Sequence, residues 1–370
     1  MVTPMSVVFC VTSRSWGGNE KWVAEAARGL AGRGHAVTAL WSYEPVLRGI
    51  EARGVPARRI RLWGDLNPLG LASLVAAFRR ARADAVVLTK QREYWMGGLA
   101  AHLAGRPLVV LRLGTRRPQR NDLKRRLAFG RFADRIVVNS SAIREMLAGT
   151  PWIDTSRVSV LLNGVSLEPV DPAAGRRSLA ALGVPPGRPV VCGAGRLTRM
   201  KGFDVLIRAF PKVLASHPDA VLVLLGGGGQ LPGLAKEAAD AGVRERVIFA
   251  GHRDDVREIL SAVDVYALSS RKEGMANTLL EAMSVGAPIV ATDVSGTLEA
   301  VRDGAEALVV PPEDPGALAR GVCRLLSDRR EAESLGVAAL ARARERFGYD
   351  GMARELESII AEGVEARASR

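Results

Sequence analysis

Cysteine is scarce: Cys10, Cys192 and Cys323 are the only three in 370 residues, far apart and never as CxxC. That spacing excludes a disulfide framework and a cysteine zinc site, and it suits a reducing compartment. Aromatic residues make up only 5%, which leaves little for a nucleic-acid surface built on stacked rings. No apolar run reaches the roughly 18–20 residues of a membrane span. No basic stretch precedes the short apolar run near the amino terminus, so 6–12 is expected to be a buried first strand and not a leader. What remains is ordinary. With 48% apolar and 25% charged residues, the composition is that of soluble globular domains and excludes disorder. The length suggests about two domains, because single cores rarely grow past roughly 250–300 residues.

Charge is abundant and unevenly placed. The chain carries 52 Lys and Arg against 39 Asp and Glu, a net +13. Residues 1–170 hold 26 cations and 12 carboxylates; residues 171–370 hold 26 and 27. The whole excess therefore lies in the first half, densest over 106–135, where ten cations face only Asp122 and Asp134. Compositional bias toward Arg would not stop at a midpoint. The asymmetry points to an anionic partner for the first half.

Short β-branched runs alternate with stretches of helical period. Strands are expected at 6–12, 36–41, 85–88, 108–111 and 135–138, then at 189–193, 221–225, 247–250, 263–268 and 288–291. After the first strand, Val23, Ala26, Ala27 and Leu30 fall on one helical face. Continuously apolar strands are typical of parallel sheets covered on both faces. Two α/β units in tandem are expected, with the Pro- and Gly-rich stretch 168–189 as the linker.

Three loops carry chemistry. Gly17 and Gly18 follow the first strand and open a helix, either as a tight turn or to let backbone N–H groups approach an anion. Gly193-Ala194-Gly195-Arg196-Leu197-Thr198-Arg199-Met200-Lys201-Gly202 follows another strand. It is no dinucleotide fingerprint, since Thr198 stands where a glycine is required, and no GK[ST] follows to make a P-loop. It presents Arg196 and Lys201, a fork donor and a point charge suited to a diphosphate, or else a solvated loop with incidental charges. Third, Glu273 precedes a glycine turn and Glu281 lies eight residues on, about two turns into the next helix. Carboxylates so placed can grip the hydroxyls of a polyol, or simply line a wet helix face. Loops of this kind converge at strand carboxyl ends, where open α/β sheets bind ligands.

At these residues the sequence resembles the large retaining glycosyltransferase family 4, of α/β GT-B fold with two Rossmann-like domains facing an interdomain cleft. The resemblance rests on Gly195-Arg196-Leu197 with Lys201-Gly202, the Glu273–Glu281 pair and Gly286-Ala287-Pro288-Ile289-Val290-Ala291-Thr292. It implies an acceptor-side domain over 1–168, onto which a carboxyl-terminal helix at 348–370 packs back, and a donor-binding domain over 169–347. Arg196 and Lys201 would neutralise a donor diphosphate, and Glu273 would hold donor-sugar hydroxyls. Gly274, Met275, Ala276, Asn277 and Thr278 would address sugar and phosphates. Glu281 would bind the ribose, Glu299 would help position the donor, and Gly17 and Gly18 would close on the diphosphate. No metal or other cofactor is implied, in keeping with the lack of a DxD pair; the nucleotide sugar is a co-substrate.

The sequence departs from the family's pattern where a first-domain histidine is common, having Leu113 there, and none of His35, His102, His217 or His252 is near enough in sequence to replace it. Lys90, Arg92 and Arg112, with Arg116 and Arg117, are the acceptor-side candidates. The implied acceptor is a saccharide, acidic or lipid-linked, in surface polysaccharide, lipopolysaccharide or glycoconjugate synthesis. The implied location is cytoplasmic, or peripheral on the inner face of the cytoplasmic membrane; nucleic acid is not expected as a partner. The alternative is a non-catalytic sugar-nucleotide or glycan-binding scaffold. Segment 121–131 reads either as a basic amphipathic helix lying on anionic lipid or as a solvated helix whose Leu123, Leu127 and Phe129 face the core. If it lies on lipid, the chain sediments with anionic vesicles in preference to neutral ones; equal partitioning dismisses that reading.

Overall fold

Two compact units make up the chain, one of Met1–Gly164 with Tyr349–Arg370 and the other of Val165–Gly348. The computed structural model describes residues 3–14, 16–60 and 67–369. The first unit is built on a seven-stranded parallel sheet of β1 (Ser6–Val11), β2 (Ala36–Trp41), β3 (Ala57–Arg59), β4 (Ala85–Leu88), β5 (Leu108–Leu113), β6 (Arg135–Val138) and β7 (Val158–Val160), in the order β3-β2-β1-β4-β5-β6-β7. The second has six parallel strands, β8 (Val190–Ala194), β9 (Val221–Leu225), β10 (Val247–Gly251), β11 (Val265–Leu268), β12 (Ile289–Thr292) and β13 (Leu308–Val310), in the order β10-β9-β8-β11-β12-β13. Both orders reverse at one point, between β1 and β4 and between β8 and β11. A doubly wound sheet binds ligands beyond the strand ends at that reversal.

Alternation along the strands explains the layers. In β1, Val7, Phe9 and Val11 join one core with Val23, Ala26, Ala27 and Leu30 of the helix Gly18–Gly32. Val8 and Cys10 enter the core of the opposite face with Leu74, Phe78 and Ala101. Because both faces are covered, the strands are apolar throughout and show no period-two pattern. The last helix, Tyr349–Ala368, lies against Gly18–Gly32 so closely that a Cβ on Gly29 would stand 2.4 Å from that of Ala353. Polar contacts fix it too. Met5 N–H donates to His35 Nδ1 at 3.1 Å, so Nε2 carries the ring proton toward Glu357 Oε1 at 2.7 Å, and Arg33 Nε reaches Oε2 at 2.6 Å. Burial by itself would raise the Glu357 carboxyl; Arg33 and His35 outweigh it and hold the group below its ordinary range.

Two expectations need correction, and one open alternative is decided in part. Stretch 168–189 is not an extended linker: it contains the helix Pro172–Ala181, with Asp171 accepting from the N–H groups of Ala173 and Ala174 and Pro172 in the first turn. Pro and Asp there are helix-start signals. Gly175 sits where a Cβ would fall 1.9 Å from the Glu258 carbonyl oxygen, so this helix is docked inside the second unit. Segment 121–131 is a short α-helix, Leu123–Arg126, running into one π-helical stretch, Leu127–Phe132. Leu123 is exposed, but Phe129 is buried edge-on against Tyr94 and Trp152, which removes most of the supposed lipid-facing stripe. β5 also runs two residues further than expected, through Arg112, for a reason given below. The unforeseen strands β3, β7 and β13 are three-residue edge strands, too short to show a pattern. Among the described residues no helix is long and apolar enough to cross a membrane.

Glu357→Ala leaves the buried His35 N–H without an acceptor. It should lower unfolding free energy by about 2 kcal/mol in urea titrations, with amide protection along Tyr349–Ala368 lost first. An unchanged midpoint would show that apolar packing alone holds this helix.

Candidate active site

In the second unit the chemistry gathers at the β8/β11 reversal. β8 delivers the chain into Gly195 at φ +146°, then through Arg196, Leu197 and Thr198 to a single 3-10 turn, Arg199–Lys201. Gly202, at φ +62°, closes that turn and starts the helix Phe203–Ser216. A Cβ on Gly202 would stand 2.0 Å from the carbonyl oxygen of Ser269, just past the end of β11. The two loops therefore touch backbone to backbone, which no other residue allows. Ser269 Oγ donates to the Lys201 carbonyl at 3.0 Å, locking the contact.

This brings two of the candidate residues together. Lys201 Nζ lies 2.6 Å from Glu273 Oε1, with 20% and 11% of their side chains exposed. Ser270 Oγ donates to the same carboxylate oxygen at 2.6 Å, and the Ser270 carbonyl accepts from Thr292 Oγ1 at 2.6 Å. The carboxylate thus links the loops after β8 and β11, and the Ser270 carbonyl ties in the end of β12. Arg196 is exposed, and its side chain holds no ion pair among the described residues. Gly274, Met275 and Ala276 form the buried turn before the helix Asn277–Ser284, and Gly296 abuts it so closely that a Cβ there would meet the Gly274 carbonyl oxygen at 1.7 Å. Thr278 Oγ1 accepts from the buried Tyr266 hydroxyl at 2.8 Å. Glu281 is buried in the second turn of that helix, and Glu299 is half-buried in the short helix after Gly296.

One residue of the site escaped the sequence reading. Arg271 pairs with Asp204 through both terminal nitrogens at 2.7 Å, reaches Glu313, and donates to the carbonyl of Arg199 at 2.7 Å. Its backbone N–H donates to Met200 O at 2.8 Å. The guanidinium thereby holds the turn that presents Lys201. Hydrogen bonding to the two carboxylates raises its own pKa and depresses Glu313; Asp204, which burial by itself would raise, is brought below its ordinary range by Arg271. Nothing near Arg271 in sequence signals this, since its partners are 67 and 42 residues away.

The first unit has its own polar cluster at the β1/β4 reversal. Gly17 precedes, and Gly18 opens, the helix that carries Glu20 in its first turn. Glu20 is buried, pairs with Lys90 Nζ at 3.0 Å and accepts from Ser13; these contacts overcome burial and lower its carboxyl pKa. Glu93 is also buried and accepts from the N–H groups of Thr12, Thr89 and Lys90 at 2.6–2.8 Å, binding the two loops to each other. Burial nonetheless keeps its carboxyl above the ordinary range. Glu93 reaches back to the N–H of the residue that caps its own helix, Lys90, which is the carboxylate half of a capping box. Lys90 is therefore a partner of Glu20, Arg92 is half-buried, and Arg116 and Arg117 are exposed.

Arg112 is the correction here. It is buried, its guanidinium lies 4.3 Å over the Trp22 ring, and it donates to Asn19 Oδ1 at 2.6 Å and Asn163 Oδ1 at 2.9 Å. Burial pushes it down to about 10, still charged at neutral pH. It is an internal cation, not one offered to an acceptor. These amide partners are why β5 can run through it. Among the described residues no group of three or more His, Cys, Asp or Glu is placed to hold a metal ion.

Residues 16–169 match the family model Glycosyltransferase Family 4, and residues 188–328 match Glycosyl transferases group 1. The lipopolysaccharide core biosynthesis glycosyltransferase LpsE of Rhizobium meliloti (strain 1021) is 36% identical over 56% of this chain and 58% of its own length. The chain spans about half the length of several curated relatives it matches, 49% and 53% in two further cases. The alpha-maltose-1-phosphate synthase of Mycolicibacterium smegmatis is 32% identical over 83% of this chain and 84% of that protein. Among solved structures, Anabaena Alr3699/HepE in complex with UDP-glucose superposes with a TM-score of 0.85 at 23% identity, over 98% of this chain and 100% of that one. WaaG, a glycosyltransferase involved in lipopolysaccharide biosynthesis, gives 0.74 at 18%, over 96% and 99%. These likenesses establish the GT-B type of the fold.

The Arg271 clamp makes a pH-dependent prediction. Asp204 and Glu313 have folded pKa values below their unfolded ones, so their stabilisation is complete above the unfolded values and is lost as pH falls through the folded ones. Wild type should exceed Arg271→Ala in urea midpoint at pH 7, with the gap closing below about pH 4. A gap independent of pH would refute the ionic account.

Proposed function

The chain belongs to glycosyltransferase family 4, the glycosyl transferases group 1, and from that premise we propose that it transfers a sugar from a nucleotide-diphosphate sugar with retention at the anomeric carbon. The observation that carries this reading is the Lys201–Glu273 pair held at the β8/β11 reversal. Lys201 and the exposed Arg196 are the cations for the diphosphate. In the free chain Glu273 neutralises Lys201; when donor arrives, phosphate oxygens take over the ammonium, and Glu273, still held by Ser270, turns to the sugar hydroxyls. As the glycosidic bond breaks, negative charge builds on the departing nucleotide diphosphate. Fixed cations there stabilise the transition state more than the ground state. No divalent metal enters this mechanism. Glu281 is assigned to the ribose, the turn from Gly274 to Thr278 to sugar and phosphates, Glu299 to donor positioning, and Gly17 with Gly18 to the diphosphate.

The basic first unit is read as the acceptor side, with Arg116 and Arg117 as exposed cations. Its acceptor is a saccharide, acidic or lipid-linked, in surface polysaccharide or glycoconjugate synthesis. A relative named for lipopolysaccharide core synthesis and another named for making a sugar phosphate support that reading. The assigned location is cytoplasmic, or peripheral on the inner face of the membrane. A second reading, a non-catalytic sugar-nucleotide-binding scaffold, draws on the buried Leu113 at the place where the family commonly has histidine.

Thermal shifts with UDP-, GDP-, ADP- and CMP-sugars identify the donor, because binding to the native state raises apparent stability. With that donor and candidate acceptors, Lys201→Ala should lose on the order of 10²-fold in turnover. Wild-type kinetics at saturating donor would defeat the assignment of Lys201. Tight donor binding by the wild type without turnover would favour the scaffold.

A further inference from the structure

Tyr266 is fully buried in the middle of the second unit's sheet, where β11 pairs it in register with Cys192 of β8 and Ile289 of β12. Its hydroxyl donates to Thr278 Oγ1 at 2.8 Å, its one hydrogen bond among the described residues. Burial raises the phenol well above its ordinary pKa, against the opposing pull of the Thr278 bond and with help from Cys192, Glu273 and Glu281. The group therefore stays protonated and neutral. A phenylalanine would fill the same space without burying a hydroxyl, which is costly unless the hydroxyl is bonded. What Tyr266 adds over Phe is the bond to Thr278. That residue is the second of the helix Asn277–Ser284, whose N-cap, Ala276, makes no side-chain cap. The N–H groups of Leu279 and Leu280 turn back to the Ala276 carbonyl. Helix starts are ordinarily fixed by a Ser, Thr, Asp or Asn at the cap; here the anchor comes from the sheet.

We propose that Tyr266 is a positioning residue for the donor site, holding the start of the helix Asn277–Ser284 in place through Thr278. Its functional meaning rests on the reading of that site given above. Tyr266 and Thr278 are 12 residues apart. The groups assigned to the donor lie on the loop between them or just beyond: Glu273, the turn from Gly274 to Thr278, and Glu281. The first half of that loop is held by other means, since Gly202 abuts Ser269, Arg271 pairs with Asp204 and Lys201 pairs with Glu273. In the second half, the Gly296 contact fixes where the loop passes at Gly274, and the Tyr266 bond fixes where the helix begins. The path from Glu273 to Glu281 runs through that helix start. Looseness there is therefore looseness between the carboxylate assigned to the sugar and the one assigned to the ribose. Segments held by few hydrogen bonds open locally, and a ligand that must order them binds more weakly. A ring enclosed at the centre of a sheet is a rigid post from which to prevent this.

The test compares the full chain with Tyr266→Phe, Thr278→Val, the double variant and Thr278→Ser. By hydrogen exchange without ligand, Tyr266→Phe and Thr278→Val should each speed amide exchange over 273–281 about fivefold, with β8 and β11 still protected. The double variant should exchange no faster than either single one. Thr278→Ser, which keeps the hydroxyl, should exchange like the wild type. Calorimetry then uses whichever of the UDP-, GDP-, ADP- and CMP-sugars most raises the wild-type melting temperature. Tyr266→Phe should weaken its binding about fivefold. Unchanged exchange over 273–281 in Tyr266→Phe would overturn the positioning role. A Tyr266→Phe effect that persists in full on Thr278→Val would overturn the route through Thr278. Faster exchange with unchanged donor affinity would make the bond merely structural and overturn the proposal too. Failure of the donor reading registers separately, as no sugar nucleotide stabilising the wild type while the exchange cycle still responds to Tyr266.

Discussion

The contact between Gly202 and the Ser269 carbonyl is the constraint on which the second unit's site depends. With no side chain at 202, the loop leaving β8 can lie directly on the loop leaving β11. Everything chemical follows from that approach. The preceding residue, Lys201, is delivered to Glu273, and Ser270 is left to orient the carboxylate. The same closeness lets Arg271 reach back across the turn to the Arg199 and Met200 carbonyls. An opposed pair at 2.6 Å is a preorganised site at rest: each charge is kept desolvated and ready because the other compensates it.

The first unit joins its two reversal loops differently, beside the ion pair of Glu20 with Lys90. Its two reversal loops are joined by the buried carboxylate of Glu93, which accepts three backbone N–H groups that would otherwise be stranded inside. Beside it, Arg112 sits on Trp22 and points its donors at two amide oxygens, with no carboxylate among its bonded partners. The buried carboxylate of Glu20 lies at the glycine turn, where a Cβ on Gly17 would stand 3.2 Å from its Oε2. The net charge of the first half thus has two layers, one internal and one on the surface. Arg116 and Arg117 belong to the surface layer, where both are exposed. Segment 119–129 lies between the two, its cations set around a cavity and its Phe129 pinned in the core.

Much of this was legible beforehand, for identifiable reasons. Strands covered on both faces are apolar from end to end, so the central members of both sheets stood out, while the three-residue edge strands did not. Gly195, Lys201, Glu273 and Glu281 stood out as candidates because of their residue types and intervals, and the fold brings Lys201 and Glu273 together. Pro172 was misread because proline serves both linkers and helix starts, and only Gly175 against Glu258 reveals that the segment is packed. Arg112 was assigned to the surface by its charge; its burial depends on Trp22, Asn19 and Asn163, none adjacent to it in the chain.

Sequence by itself determined the alternation of strands and helices, the two-unit α/β plan, the family and the confinement of excess charge to the first half. These are local or additive properties: periodicity, residue type, spacing and summation. Tertiary structure alone decided which charges are spent internally and which remain for a ligand. Pairing of Lys201 with Glu273, clamping by Arg271 and burial of Arg112 all join residues distant along the chain. Long-range contacts of that kind are set by how sheets and loops pack, where sub-ångström differences in approach decide whether a polar group finds a partner.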